Sequence, residues 1–331
     1  MSAADGGEES VARRAGPLVV GYIMRDSRAR SLSRQNLIHL KVIDGLCFVG
    51  VDHTTSIGEQ QRQRGRKFDV LLHKASDWMA YDAETASATL SLPSVFDSIE
   101  DAGIPWLDDL ASTKVILRRL DIHALLTRLA GSEGRDLFLP ATTALADVGD
   151  LRARAPFIVK SNAACGVSFS HKMVIVRNLE DEGEADLAKS LDQCYDKYRD
   201  LVVQDLVPHD GSETKVYCIG SAVHMSRRKL AAAETIENDS RPRVTVFDSL
   251  ETKNENPDQT RYPIGEEDRA ELEACARWLR TELGIHLFGF DALRVEGTHR
   301  MAIIDVNYFP SFKGIPSARA DLHRCFRALE L

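Results

Sequence analysis

The chain has 331 residues, 44% hydrophobic and 28% charged, with a formal charge of −8. That length allows two or three domains with a buried core, and the ordinary composition excludes a wholly disordered or fibrous protein. The acidic balance argues against a nucleic-acid binder built on phosphate neutralisation, and no apolar run approaches the roughly 20 residues that cross a bilayer.

Residues 1–16 hold Glu8, Glu9, Arg13 and Arg14 without an apolar block, so they read as a floppy tail with no secretory signal. Pro17 to Met24 predicts a buried strand, followed by a polar turn and a helix near Ser33 to Leu46. Two short apolar runs, Leu46 to Val51 and Phe68 to Lys74, read as strands. Helical spacing returns at Leu92 to Ala102, closed by Gly103 and Pro105. This alternation predicts a small open α/β layer over residues 17–108. Ser112 to Leu129 then reads as one helix, with Ser112 as N-cap, Gly131 as stop and Lys114 in the first turn. A second part, 109–203, holds the expected strands Phe157 to Lys160, Met173 to Val176 and Leu201 to Val207 around a helix from Glu184 to Tyr198.

The third part, 204–331, opens with a hairpin, Thr214 to Ile219 and Ala222 to Arg227, turning at Gly220-Ser221. Val244 to Phe247, a polar loop from Asp248 to Pro263 and a long helix from Glu266 to Leu283 follow, the helix stopped by Gly284. Two strands and a short helix finish the chain. The class is α+β in three parts. Six cysteines (Cys47, Cys165, Cys194, Cys218, Cys275 and Cys325) show no CxxC pair, which points to a reducing cytosol and away from zinc.

The segment from Ile285 to Phe309 carries the most chemistry. If its hairpin is symmetric about Thr298, paired residues sum to 596, Asp291 faces Asp305, and Asn307 lies further along the same face. Opposed like charges destabilise a sheet and need a reason. A divalent cation supplies one, because magnesium takes one or two carboxylates and fills its other positions with water and phosphate oxygens. Surface acids satisfied by Arg or Lys are the bland alternative, and one slip of register would separate the pair.

Upstream, Lys160 ends a strand before the small-residue loop Ala163-Ala164-Cys165-Gly166, a place where an ammonium can meet phosphate while the loop closes. A strand-end lysine alone is weak support. Lys215 pairs near Ser226, with Arg227 beside it, so two cations are expected at a common point. His73-Lys74 closes a strand where strand ends face the crevice of an open layer, His73 being equally readable as a surface or core histidine. Cys165 has no His and Asp arranged for nucleophilic chemistry, and neither a Walker-type loop nor the protein-kinase motif set is present.

Taken together, VGY at Val20 to Tyr22, His73-Lys74, FIVKSNAACGVSFSHKMVIV from Phe157, VVQDLVPHDGSETKVYCIG from Val202, LFGFDALR and IDVNYFPSFKGIP resemble the inositol-tetrakisphosphate 1-kinases, which also act as inositol 1,3,4-trisphosphate 5/6-kinases. The resemblance runs in collinear order from about residue 18 to 318 and is closer to the plant-like branch. It implies an ATP-grasp fold, with a small N-terminal α/β domain ahead of central and C-terminal domains with antiparallel sheets. It implies ATP as co-substrate, one or two Mg2+ ions, and transfer of the γ-phosphoryl to a hydroxyl of an inositol tris- or tetrakisphosphate, with inositol hexakisphosphate a further candidate. Asp291, Asp305 and Asn307 match magnesium ligands. Lys160 matches the ATP-phosphate lysine, and Lys114 a basic ATP contact. Gln204, Asp205 and Leu206 match the strand that holds the adenine edge, and His209 lies in that hinge segment.

Lys215 and Arg227 match cationic contacts to substrate or nucleotide phosphates, which makes Lys160, Lys215 and Asp305 the expected catalytic set. Arg28 and Lys74 match substrate-phosphate contacts. Ser226 and Lys229 fall among the nucleotide contacts, Lys229 replacing a serine; Cys165, Gly166, Asn307 and Ser311 fall among the substrate contacts. Cys165 stands where relatives have His or Asp, and Ser311-Phe312-Lys313-Gly314 shifts a basic residue by one position. Partners are thus inositol polyphosphates and ATP or ADP, with no nucleic acid or membrane. A cytoplasmic monomer is expected, nuclear presence remaining open. The rival readings are an ATP-grasp carboxylate–amine ligase and a non-catalytic inositol-phosphate sensor.

Overall fold

The computed structural model describes residues 16–82, 86–132, 134, 136–196, 198–230, 242–249 and 262–329. The expected tail, apart from Gly16, and most of the expected loop over 248–263 lie outside the described residues. Strands β1 (Leu18–Ile23), β2 (Leu46–Gly50), β3 (Val70–His73) and β6 (Trp106–Leu107) form a parallel sheet in the order β2-β1-β3-β6. All four residues of β3 are buried, as a strand covered on both faces requires. A small hairpin that sequence periodicity missed, β4 (Met79–Asp82) with β5 (Ser87–Leu90), follows β3.

The central sheet is antiparallel in the order β14 (Val244–Asp248), β10 (Lys172–Val176), β9 (Phe157–Ser161), β11 (Leu201–Asp205), β8 (Thr142–Ala144). The third sheet runs β13 (Ala222–Lys229), β12 (His209–Ile219), β15 (Leu287–Val295), β16 (Met301–Tyr308), β7 (Leu137–Phe138). It is antiparallel except for β7, which lies parallel to β16. Strands β7 and β14 therefore each join the sheet of the neighbouring stretch of chain, and the sheets interleave across residue 204.

Helices α1 (Asp26–Arg34), α2 (Ile57–Arg64) and α3 (Val95–Asp101) flank the parallel sheet; α4 (Leu110–Val115), α5 (Arg119–Ala130), α6 (Leu151–Arg154) and α7 (Gly183–Tyr195) follow. Helices α8 (Glu266–Leu283) and α9 (Ala318–Arg327) complete the set. Helix α8 starts and ends where expected, with Gly284 at φ 63 capping it in the left-handed region. The helix expected over Ser33 to Leu46 is instead α1, which begins at Asp26 and has already ended at Arg34. Its sequence is almost wholly polar and buries only Leu32, so no apolar spacing marks it, while Asn36 and Asp44 at positive φ keep the apolar stretch after it irregular.

The single helix expected from Ser112 is two. Asp109, not Ser112, caps α4 and accepts from the Ser112 amide, which leaves Lys114 in the last turn, where the helix dipole favours a cation. The chain opens at Arg118 because the backbone there pairs with the loop after β9: Ala164 N donates to Leu117 O at 2.8 Å and Arg119 N to Asn162 O at 2.8 Å. One continuous core joins Leu72 and Leu107 of the parallel sheet, Leu125 of α5, Leu279 of α8 and Phe290 and Val306 of the third sheet. The central sheet has its own core around Phe157, Val174, Tyr198 and Val203, closed by Met79 and Ala88 of the small hairpin. Among the described residues no helix is long and apolar enough to cross a membrane.

Candidate active site

Strands β12, β15 and β16 present alternate residues to the cleft below the central sheet. Asp291 pairs with Asp305, and Lys215 pairs with Asp291 on one side and Ser226 on the other. The hairpin is not symmetric about Thr298. Near the turn, pairs such as Leu293↔Ala302 and Ala292↔Ile303 sum to 595, and a one-residue bulge between Asp291 and Ala292 raises the sum to 596. Without that bulge Asp305 would stand opposite Phe290 and face the helices. The opposed carboxylates are thus placed by a local irregularity rather than by the turn.

Asp305 Oδ2 accepts from Asn307 Nδ2 at 3.1 Å, whereas its Oδ1 is buried without a hydrogen-bond partner, Arg119 lying 3.9 Å away. A buried, unpartnered carboxylate oxygen is costly. Two carboxylates and an amide on one sheet face fit a hard divalent cation that keeps water and phosphate ligands. Among the described residues there is no cluster of three or more His, Cys, Asp or Glu side chains that could hold a metal by themselves.

Cations surround this acid pair. Lys215 Nζ lies 2.8 Å from Asp291 Oδ2 and 3.1 Å from Glu213 Oε2. Burial works against the ammonium, but Asp291 and Glu213 outweigh it and hold Lys215 above its ordinary pKa. Burial conversely raises Asp291 above the usual carboxylate range, because one shared ammonium does not offset its desolvation and the nearby charges of Glu213 and Asp305. Lys160, nearly buried, donates to Gln204 Oε1 at 2.7 Å; burial and then Arg119 push it down to about 8. Gln204 is steadied by Thr142 at 3.1 Å. Lys160, Gln204, Thr142, Arg119 and Asp305 line one cavity of about 20 Å3, room for about one water molecule.

A second group adjoins the first. Lys74, pushed down to about 8 by burial and by Arg28, donates to the Tyr308 carbonyl and lies 5.2 Å from the centre of that ring. The Cys165 thiol is raised by burial, bonds to Ser76, and feels the charges of Lys74, Arg119 and Asp305, so it stands between the two groups. Gly166 has φ +83, and a Cβ there would overlap Ser76 O and lie 2.5 Å from Met79 Cβ. The loop after β9 therefore presses against the turn after β3, and only glycine fits. Ser311 is half-buried just beyond Pro310, between Phe309 and Phe312, both at positive φ.

Four expected contacts lie elsewhere. Arg227 pairs with Thr214 and so sits on the reverse face from Lys215, tied to Ser212 at 2.7 Å, to Asp210 at 2.5 Å and to Asp268 of α8 at 3.7 Å. The two cations do not meet at a common point, because adjacent strand residues face opposite ways. Lys229 is exposed and shares Arg227's side of β13 by register. Lys114 is exposed at the end of α4, and the His209 ring accepts from the Gly211 amide. In the hinge strand, Asp205 N donates to Ala141 O, the Asp205 carboxylate pairs with Arg154 at 3.1 Å, and Leu206 N donates to Pro156 O.

Sequence reasoning passed over Arg119, Glu213 and Asn162. Arg119 donates to the carbonyls of Ser161 and Ala163 at 2.8 and 2.9 Å, fixing the loop after β9, and Asn162 accepts from Leu120 N at 3.0 Å at the start of α5. The Arg118-Arg119 doublet and the strand parity of Glu213 with Lys215 were the available signals. His73 is wholly buried: Nε2 donates to Asp108 O at 2.6 Å, and Nδ1 accepts from Ala75 N at 3.1 Å.

A family model for the inositol 1,3,4-trisphosphate 5/6-kinase ATP-grasp domain matches residues 141–327, and one for that family's pre-ATP-grasp domain matches residues 19–97. Inositol-tetrakisphosphate 1-kinase 6 of Oryza sativa subsp. indica is 25% identical over 90% of this chain, which spans only 57% of that protein. Inositol-tetrakisphosphate 1-kinase 4 of the same rice is 30% identical, covering 92% of this chain and 82% of its own length; inositol-tetrakisphosphate 1-kinase 1 of Zea mays is 29% identical, covering 90% and 84%. In structure the chain is similar to the VanG D-Ala:D-Ser ligase of Enterococcus faecalis, with a TM-score of 0.59 at 13% identity over 95% of this chain and 99% of that one. The D-alanyl-alanine synthetase A of Vibrio cholerae gives 0.57 at 12% identity over 94% and 98%. At such identities the structural likeness speaks for the fold alone. The sequence matches reach further: the chain belongs to the inositol 1,3,4-trisphosphate 5/6-kinase family and has the ATP-grasp fold.

Proposed function

We propose that the chain is an ATP- and Mg2+-dependent inositol polyphosphate kinase that transfers the γ-phosphoryl of ATP to a hydroxyl of an inositol tris- or tetrakisphosphate. The observation that carries this reading is the unpartnered Asp305 oxygen opposite Asp291, ringed by Lys215, Lys160 and Arg119, with Lys74 and Cys165 adjoining. Phosphoryl transfer asks chiefly for alignment and charge neutralisation, and this site is built from fixed charges rather than nucleophiles. In the reaction the ring hydroxyl oxygen forms a bond to the γ-phosphorus while the bond to the β–γ bridging oxygen breaks, releasing ADP, and the hydroxyl proton passes to solvent.

Asp291, Asp305 and Asn307 would hold the divalent cation, which when bound offsets charge on the nucleotide phosphates. Lys160 binds nucleotide phosphate from the end of β9, and Lys215 neutralises charge on the transferred group. Lys74 and Arg28 anchor phosphates already on the inositol ring, and Gly166 lets the loop bearing Cys165 approach them. Gln204, Asp205 and Leu206 edge the nucleotide cleft. A reducing, cytosolic setting is part of the proposal, supported by six free cysteines.

The test is product analysis after incubation with ATP, Mg2+ and a panel of inositol tris- to hexakisphosphates. A more highly phosphorylated inositol supports the kinase and identifies the acceptor. ADP release that needs a carboxylate and an amine would replace it with a ligase, and ligand binding without turnover with a sensor. Asp305→Asn is expected to lower Mg2+-dependent turnover by at least ~100-fold with the fold intact, a loss of the size a single charge-stabilising group commands. Turnover near wild type in that variant would sink the cation assignment.

A further inference from the structure

Glu213 belongs to none of the roles assigned above, yet it is among the most deeply buried acids, 5% exposed. It lies two residues from Lys215 and so on the same face of β12. Its Oε2 accepts from Arg228 Nε at 2.7 Å and stands 3.1 Å from Lys215 Nζ, which is itself 2.8 Å from Asp291 Oδ2. One ammonium is thus held between the buried Glu213 carboxylate and the half-buried Asp291 carboxylate, and only the latter faces Asp305.

The charges dictate how these side chains respond to a divalent cation. Asp291 then gives its oxygens to the cation, and the lysine is repelled by the same ion. A half-buried ammonium that loses its acceptor is disfavoured unless a second acceptor is in reach. Glu213 is in reach, and Arg228 holds its carboxylate from the other side. We propose that Glu213 is a positioning residue, the second acceptor that takes the Lys215 ammonium when Asp291 turns to a divalent cation. This rests on the kinase reading and deepens it. Lys215 is kept level with the nucleotide phosphates instead of swinging out, and without the Glu213 charge it stays on Asp291 and competes with the cation.

The test is calorimetric titration of nucleotide into intact protein at graded free Mg2+, which reads binding and not turnover. Glu213→Gln is expected to raise the Mg2+ concentration for half-maximal ATP binding about tenfold, the loss typical of one charge-assisted contact. Glu213→Asp should restore most of it. In a Lys215→Met background, Glu213→Gln should add no further shift, because the residue acts through that lysine. Since Glu213→Gln removes a carboxylate charge from beside Arg228, the charge-balanced pair Glu213→Gln with Arg228→Gln is measured beside it and should show the same shift. A wild-type Mg2+ requirement in folded Glu213→Gln, or an equal shift persisting without Lys215, overturns the proposal. So does unfolding of both Glu213 variants while Lys215→Met stays folded, which leaves Glu213 a structural residue only. A wild type that binds no nucleotide removes the kinase reading and this proposal together, whereas one that binds nucleotide but phosphorylates no inositol removes that reading alone.

Discussion

Lys74 is held by a main-chain carbonyl and an aromatic face, that is, by weak neutral partners in place of a carboxylate. A phosphate offers the ammonium far more, so the side chain is poised to leave Tyr308 for a polyanion. Lys74→Ala is therefore expected to raise the inositol phosphate KM at least ~10-fold while leaving the ATP KM within about twofold. Equal effects on both constants would remove its role at the substrate. Its neighbour His73 titrates against the fold. Both ring nitrogens are satisfied in the neutral form, and burial pushes the imidazole down to about 4. With the folded value below the unfolded one of about 6.5, the unfolded chain binds the extra proton first, so stability falls as pH drops from 6.5 toward 4. The full loss is about 3 kcal/mol. Denaturant unfolding at pH 7 and pH 4.5 should show a shallower pH dependence in His73→Gln than in the wild type; identical slopes would mean that His73 is not the group responsible.

At the scale of elements, the loop after β9 is the piece that joins two sheets, and Gly166 is where it touches. Gly166→Ala puts a methyl into the Ser76 carbonyl at a φ of +83, so it is expected to cost about 2 kcal/mol or more. Thermal unfolding measures that loss, and a raised inositol phosphate KM in whatever folds would show that the loop no longer seats. How much of this was legible differs by element. Helix α8 and the β12–β13 hairpin with Lys215 opposite Ser226 could be read from apolar spacing and turn residues. Helix α1 could not, since a helix that buries a single leucine carries no periodic signal. Nor could the break at Arg118, which exists only because a distant loop offers its backbone there. The acid pair was found with an incomplete register: the bulge that brings the carboxylates together leaves no mark in composition. Arg227 was misplaced by the opposite error, closeness in sequence being taken for a shared face.

For the whole molecule, the hydrophobic cores divide the chain differently from its order. One face of the parallel sheet shares a core with the third sheet, the parallel sheet's other face has a core of its own around Leu71 and Phe96, and the central sheet has another. Asp108 pins the parallel and third sheets together: 1% exposed, it accepts from the amides of His286 at 2.6 Å and Leu287 at 3.0 Å, and from the His286 ring at 2.9 Å. Hydrogen exchange is expected to show one cooperative class spanning β1, β3, β15 and β16 and a separate class for β9, β10 and β11. Asp108→Ala should lower protection across the first class and leave the second unchanged. A uniform loss over all of these strands would show that the shared core and the central sheet's core unfold as one.

The interleaved sheets also bear on how the chain is made. Strand β10 has β14 as its outer neighbour, and β14 follows only after α7, β11 and the β12–β13 hairpin. The first sheet waits longer still, since Phe48 of β2 packs edge-on against Phe326 of the last helix at 5.6 Å. At about 5–20 residues per second, a nascent chain leaving the ribosome carries an open β10 edge for seconds before its partner is made. A ribosome stalled just past residue 204 would release a chain with that edge bare and the N-terminal core uncovered. The finished protein hides both, so its exposure to aggregation is concentrated in the moments of synthesis.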